Sequence, residues 1–132
     1  MSRDDRRSDP QVVELAHRFT FEAAHYLPRV PEGHKCRRLH GHSFAATIVV
    51  RGPIDPEMGW LVDYAEIKGA VAPLREMLDH HLLNEVEGLE NPTSEVIAVW
   101  LWDRLLPSLP ILAEVRVEET CNNGCAYRGG SI

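Results

Sequence analysis

The sequence is short of cysteine, and its three, Cys36, Cys121 and Cys125, are an odd number in 132 residues. That density excludes a disulfide scaffold, and a chain of this length can bury a core without one. Long apolar runs are missing, so no stretch reaches the roughly 20 residues that a membrane-spanning helix needs. The first ten residues, MSRDDRRSDP, are charged and lack the apolar centre of a secretory signal. A reducing cytoplasm is the expected location, where cysteines serve catalysis or metal binding more often than bridging. A basic surplus is missing too: 14 Lys+Arg stand against 20 Asp+Glu, for a formal net charge of −6. This speaks against a nucleic-acid partner, whose phosphates call for a basic face, but leaves room for a small anionic substrate at a local basic patch. Internal repeats and low-complexity segments are lacking as well. What is there, 44% hydrophobic and 26% charged, is the composition of a globular domain.

Residues 1–10 read as a disordered tail and 11–132 as a single domain. Over 12–25 the pattern alternates, with Leu15, His17, Phe19, Phe21, Ala23 and His25 on one face, and predicts a half-buried strand. Residues 28–38 hold two prolines and a glycine and predict a loop. A second strand is expected at about 40–51, ended by Gly52-Pro53. Asp63 with Glu66 forms a capping box ahead of the helical spacing Ile67, Val71, Leu74, Leu78; Gly69 and Pro73 should weaken or kink that helix. Thr93 or Ser94 caps a second helix whose apolar face is Ile97, Trp100, Leu101 and Leu105, and Pro107 and Pro110 stop it. A third strand is expected at about 112–119 and a short fourth one at Ala126–Arg128. The order ββααββ predicts an α+β fold, a four-stranded antiparallel sheet with two helices on one face.

Four groups of residues carry possible chemistry. His40-Gly41-His42 places two imidazoles on the same face of a strand, and His25 ends the neighbouring strand. Three neutral imidazoles suit zinc and leave a fourth position for substrate; a chance H-x-H beside a solvated strand end has equal weight on spacing alone. Cys36 lies in His34-Lys35-Cys36-Arg37-Arg38, where cations favour a thiolate and a phosphate alike. It reads as a general base, as an inert loop cysteine, or as a fourth ligand of a closed zinc site. Asp79-His80-His81 ends the first helix and reads as a proton relay or as simple capping. Glu119 points inward by strand parity, toward a planar ligand with adjacent N–H donors or, equally, toward an arginine or a backbone cap at the strand end. Cys121 and Cys125 fall in a hairpin turn, one residue wider than C-x-x-C, and read as structural or incidental.

Read together, seven segments in order resemble the 6-pyruvoyl-tetrahydropterin synthase family: FTFEAAH (19–25), VPEGHKC (30–36), RLHGHSF (38–44), GW-x-VDY (59–64), LDHHLLN (78–84), GLENPTSE (88–95) and EETCNNGCAYRG (118–129). Within it they are most similar to the bacterial 6-carboxy-5,6,7,8-tetrahydropterin synthase branch of queuosine biosynthesis. Only three residues separate Cys36 from His40, against a longer insert in the tetrahydrobiopterin-type branch. The resemblance implies the tunnelling (T-) fold. It implies a cytoplasmic homo-oligomer, commonly a hexamer of two trimers, whose sheets join into a barrel with active sites between subunits. It implies a lyase that converts 7,8-dihydroneopterin triphosphate to 6-carboxy-5,6,7,8-tetrahydropterin, releasing acetaldehyde and triphosphate. Zinc would be held by His25, His40 and His42 and would bind the substrate's side-chain hydroxyls. Cys36 would be the base, Asp79 and His80 its relay, and Glu119 the anchor of the pterin ring, coupled to that relay. Thr93, Ser94 and Lys35 join Glu119 as expected substrate-binding residues, with Arg37 and Arg38 further candidates for the triphosphate. Arg37 departs from the small residue expected there, and glycine-like backbone at this position would strain it. The rival expectations are a pyruvoyl-type synthase, which eliminates triphosphate and keeps the side chain, and a non-catalytic zinc module with Cys36 as fourth ligand.

Overall fold

A computed structural model describes residues 10–119 and 122–130. Residues 1–9 of the expected tail, and Cys121, lie outside them. Four strands, β1 (Val12–His25), β2 (His40–Pro53), β3 (Leu112–Glu119) and β4 (Asn123–Tyr127), pair antiparallel in the order β1-β2-β3-β4. Helices α1 (Tyr64–Leu78) and α2 (Ser94–Leu105) form the connection between β2 and β3. The expected α+β fold with ββααββ order is the one observed.

Alternation decides which face is buried. Phe19, Phe21 and Ala23 of β1 share a face with Phe44, Ala46, Ile48 and Val50 of β2 and Val115 and Val117 of β3. Ile67, Val71, Leu74 and Leu78 of α1 and Ile97, Ala98, Trp100, Leu101 and Leu105 of α2 close over that face in one core. Burial of this apolar surface is what holds the helices on the sheet.

The helix caps sort two residues that sequence left undivided. Asp63 caps α1 by accepting from Ala65 N at 2.9 Å. Thr93 caps α2, its Oγ1 accepting from Val96 N at 3.1 Å, which leaves Ser94 free for another partner. α1 runs unbroken through Pro73. Pro73 and Gly69, whose carbonyl loses its donor, both face outward, where water can replace the missing bond.

Three expectations need correction. β2 continues through Gly52 and Pro53, which pair with Val13 and Val12. A proline is tolerated there because it is the last residue of the strand. β4 begins earlier than expected, at Asn123. Cys125 is therefore not in the turn but on β4, opposite Val117 and half-buried.

The end of β1 is not an open edge. His80 N donates to Glu22 O at 2.6 Å and Ala24 N to His81 O at 3.1 Å. Glu22 N donates to an Asp79 carboxylate oxygen at 2.9 Å, and Arg75 Nε to Thr20 O at 2.8 Å. The C-terminal end of α1 and the residues after it thus occupy the edge from Thr20 to Ala24.

Candidate metal centre and active site

The register of β1 on β2 sets His25 opposite His40, Ala23 opposite His42 and Phe21 opposite Phe44. His40 and His42 share a face because they are two residues apart. The three imidazole centroids lie 4.6, 5.2 and 4.7 Å apart, for the pairs 25–40, 25–42 and 40–42. Phe44 is the apolar floor, its ring 5.5 Å from His25 and 5.8 Å from His42. His25 is 1% exposed and so is no solvated strand end.

Two backbone carbonyls fix the rings. His25 Nδ1 lies 2.8 Å from Pro92 O, and His40 Nδ1 lies 2.6 Å from Arg38 O. A carbonyl only accepts, so each Nδ1 carries the proton and each Nε2 keeps its lone pair. Burial pushes the His25 pKa down; the Pro92 carbonyl and Glu119 oppose this, and His40 and His42 add to it. The neutral ring is the form that ligates metals.

Glu119, at the end of β3, pairs in register with Phe44 and reaches the same cluster. Its Oε1 is 2.9 Å from His42 Nε2 and 3.8 Å from His25 Nε2. Its Oε2 accepts from the Ser94 hydroxyl at 2.8 Å. Ligand atoms of His25, His40, His42 and Glu119 all lie within 4.8 Å of one another. His25 Nε2 is buried with no hydrogen-bond partner. A buried nitrogen lone pair left this way is unfavourable unless a ligand supplies the partner. Three nitrogens and one carboxylate around it are a donor set that fits zinc. Cys36 is not a member of the group.

Cys36 shares a cleft of about 500 Å³ with Lys35, His40, His42, Glu119, Asn122 and Asn123. It sits in a single turn of 3₁₀ helix, Lys35–Arg37. His34 Nδ1 accepts from Cys36 N at 3.1 Å, and Leu27 N donates to Cys36 O at 2.8 Å, tying the turn to the chain leaving β1. Cys36 is a free thiol, half-buried. Arg37 shows no glycine-like strain: among the described non-glycine residues only His80 has a positive φ. Its guanidinium donates to Val30 O at 3.2 Å.

Asp79 and His80 do pair, with His80 Nδ1 2.9 Å from Asp79 Oδ2. The Glu22 backbone N–H first, then the His80 hydrogen bond, hold the Asp79 carboxyl below its usual range; desolvation opposes them, and the Arg75 charge adds least. His80 opens, however, into a second cavity of about 550 Å³ that it shares with Glu22, Gly41, His42 and Ser43. Neither Cys36 nor Glu119 lines that cavity.

Asn122 and Asn123 line the cleft and were not singled out in the sequence. The Pro92 and Arg38 carbonyls were equally invisible there, because a backbone acceptor leaves no mark in residue identity. Membership of Glu119 in the donor cluster had one signal, its inward parity on β3.

The family model described as 6-pyruvoyl tetrahydropterin synthase matches residues 14–130. The chain belongs to this family. A family member from Synechocystis sp., a 6-carboxy-5,6,7,8-tetrahydropterin synthase, is 44% identical over 115 residues, covering 83% of this chain and 88% of that protein. A 6-pyruvoyl tetrahydrobiopterin synthase of Drosophila melanogaster is 35% identical over 139 residues, covering 92% and 83%. The solved structure of Caenorhabditis elegans 6-pyruvoyl tetrahydropterin synthase superposes with a TM-score of 0.85 at 27% identity, covering 92% of this chain and 98% of that one. The fold is thus the T-fold of the family, and the chain is a lyase within it. Among the described residues no helix is long and apolar enough to cross a membrane.

Proposed function

We propose that the protein is a zinc-dependent carbon–carbon lyase of queuosine biosynthesis. It converts 7,8-dihydroneopterin triphosphate and one water to 6-carboxy-5,6,7,8-tetrahydropterin, releasing acetaldehyde and triphosphate. The observation that carries this reading is a cluster of three converging imidazoles, two of which, His40 and His42, share a cleft with a free cysteine outside the donor cluster. Cys36 lies outside the donor cluster, which supports its reading as a base rather than a ligand. The similarity to the Synechocystis relative and the short Cys36-to-His40 interval support the carboxy-forming reaction over the pyruvoyl one.

The residues divide the task. His25, His40 and His42 hold the zinc, and in His25 and His40 the Nδ1 proton is committed to a carbonyl so that Nε2 is left to ligate. Zinc, when bound, polarises the substrate's side-chain oxygens and acidifies the neighbouring C–H bonds. Cys36, fixed by His34 and Leu27, takes the proton. Glu119, with Oε2 held by Ser94, accepts from the N–H donors on the guanidine-like edge of the pterin. Thr93 orders that wall of the cleft as the cap of α2. Lys35, Arg37 and Arg38 are exposed cations beside the cleft and suit the triphosphate.

His80 lines a cavity that Cys36 does not line, although His42 borders both, and in this reading a second copy of the chain supplies Asp79 and His80 to Cys36. The working unit is then a homo-oligomer, a hexamer of two trimers with sheets joined edge to edge into a barrel. A cytoplasmic setting keeps Cys36 reduced.

Anaerobic incubation of zinc-replete protein with dihydroneopterin triphosphate tests the reading. Acetaldehyde and triphosphate in equal amounts are expected. Triphosphate without acetaldehyde would move the assignment to a pyruvoyl-type synthase. No turnover, together with loss of zinc in Cys36→Ala, would leave a non-catalytic zinc module.

A further inference from the structure

The ladder between β1 and β2 ends at the His25–His40 pair. The next residue, Tyr26, has its peptide groups held by a side chain instead. Tyr26 N donates to Asn84 Oδ1 at 3.0 Å, and Asn84 Nδ2 donates back to Tyr26 O at 2.8 Å. The same Nδ2 donates to Glu90 O at 3.3 Å. Oδ1 faces an N–H and Nδ2 faces two carbonyls, so the contacts fix which way the amide points. Asn84 is half-buried in a single turn of 3₁₀ helix, Leu83–Glu85. Leu83 is buried in the core and Leu82 bridges to Ala24, so the turn is seated on the core and on β1.

Two things aim the His25 ring: where the end of β1 lies, and where the Pro92 carbonyl lies, 2.8 Å from its Nδ1. Asn84 is tied to the chain one residue past the first and two residues before the second. We propose that Asn84 is a positioning residue for the metal centre, which clamps Tyr26 to Glu90 and so keeps the His25 ring and its Pro92 acceptor in register. A ligand already held by its outer hydrogen bond loses less freedom when the metal arrives. Only an amide of this length offers the acceptor and the donors together. Asn84→Asp keeps the shape and the acceptor but sets a carboxylate oxygen against the Tyr26 and Glu90 carbonyls.

The consequence for zinc rests on the reading of His25 as a ligand given above. The consequence for the ring does not, because the bond to Pro92 needs no metal. Ring NMR of the metal-free protein should show a slowly exchanging His25 Nδ1 proton, assigned by its loss in His25→Gln. In Asn84→Asp that proton should exchange about tenfold faster or more. The zinc Kd, measured by chelator competition, should rise about tenfold, and the visible absorption of the cobalt-loaded protein should change shape. Ile48→Val thins the core without touching these segments, and in it the ring exchange and the cobalt spectrum should stay as in the wild type. Asn84→Ala replaces the aspartate variant if that one does not fold. Wild-type exchange at the His25 ring in the folded Asn84 variant overturns the proposal, and so does faster exchange with unchanged zinc affinity. Equal loss of protection in Ile48→Val overturns it too, since general loosening would then account for both. A wild type that binds no zinc while its Asn84 variant still frees the ring removes the metal reading and leaves the clamp on His25 standing.

Discussion

Burial strips water from His25 more strongly than the Pro92 carbonyl and Glu119 compensate, so its pKa falls below 6.5. The sign of the linkage follows. The unfolded chain takes up this proton near 6.5, whereas the folded chain does so only at lower pH. Stability from this residue is complete above that value and is lost as pH falls from 6.5 through the folded pKa. Thermal melts of the metal-free protein should therefore decline on acidification across that window, and a flat profile would contradict it. Two substitutions separate ligand from base. His42→Ala should lose zinc by metal analysis. Cys36→Ala should keep it and lose turnover by roughly 10²- to 10⁴-fold; a zinc-free Cys36→Ala would make the cysteine a ligand.

At the level of elements, adjacent residues at the start of α2 do different things. Thr93→Ala removes the cap and should cost about 1 kcal/mol in denaturant unfolding. Ser94→Ala should leave stability nearly unchanged but raise KM, because it frees one oxygen of the Glu119 carboxylate, the group proposed to anchor the pterin. Sequence alone offered both as the cap; the structure divides them because only Thr93 has the extended backbone of an N-cap, ψ 163. Gly88 is another position where an element depends on one residue. Its φ is +91 and an added Cβ would meet Trp100 Cδ1 at 2.9 Å. Gly88→Ala should lower the melting temperature through strain and a displaced Trp100. The four strands, both helices and the inward face were legible because alternation and helical spacing report burial directly. The convergence of His25 with His40 and His42 was legible once the strands were paired. The extension of β2 to Pro53 was not, because proline is read as a stop and its tolerance at a strand end is set by pairing. The division of the site into two cavities was not legible either. It depends on the end of α1 meeting the edge of β1, a long-range contact that no local pattern announces.

For the whole molecule, the proposed supply of Asp79 and His80 to Cys36 by a second copy makes activity depend on assembly. Specific turnover is expected to fall on dilution below the dissociation constant of the oligomer, in step with mass by light scattering. Mixing Cys36→Ala with His80→Gln protein, each inactive alone, should restore part of the activity after subunit exchange. No recovery in mixed oligomers of demonstrated composition would place both residues in the same subunit's site. The edge of β1 bears on how such copies meet. From Thr20 to Ala24 its bonds are already taken by Arg75, Asp79, His80 and His81. Among the described residues of β1, the stretch from Val12 to about Arg18 is left for an incoming strand, and it is long enough to take the five residues of β4. The tail of α1 thus works as an end-stop. In the proposed assembly a docking strand that slid too far would run into it, so the residues that present His80 would also set the alignment of two copies.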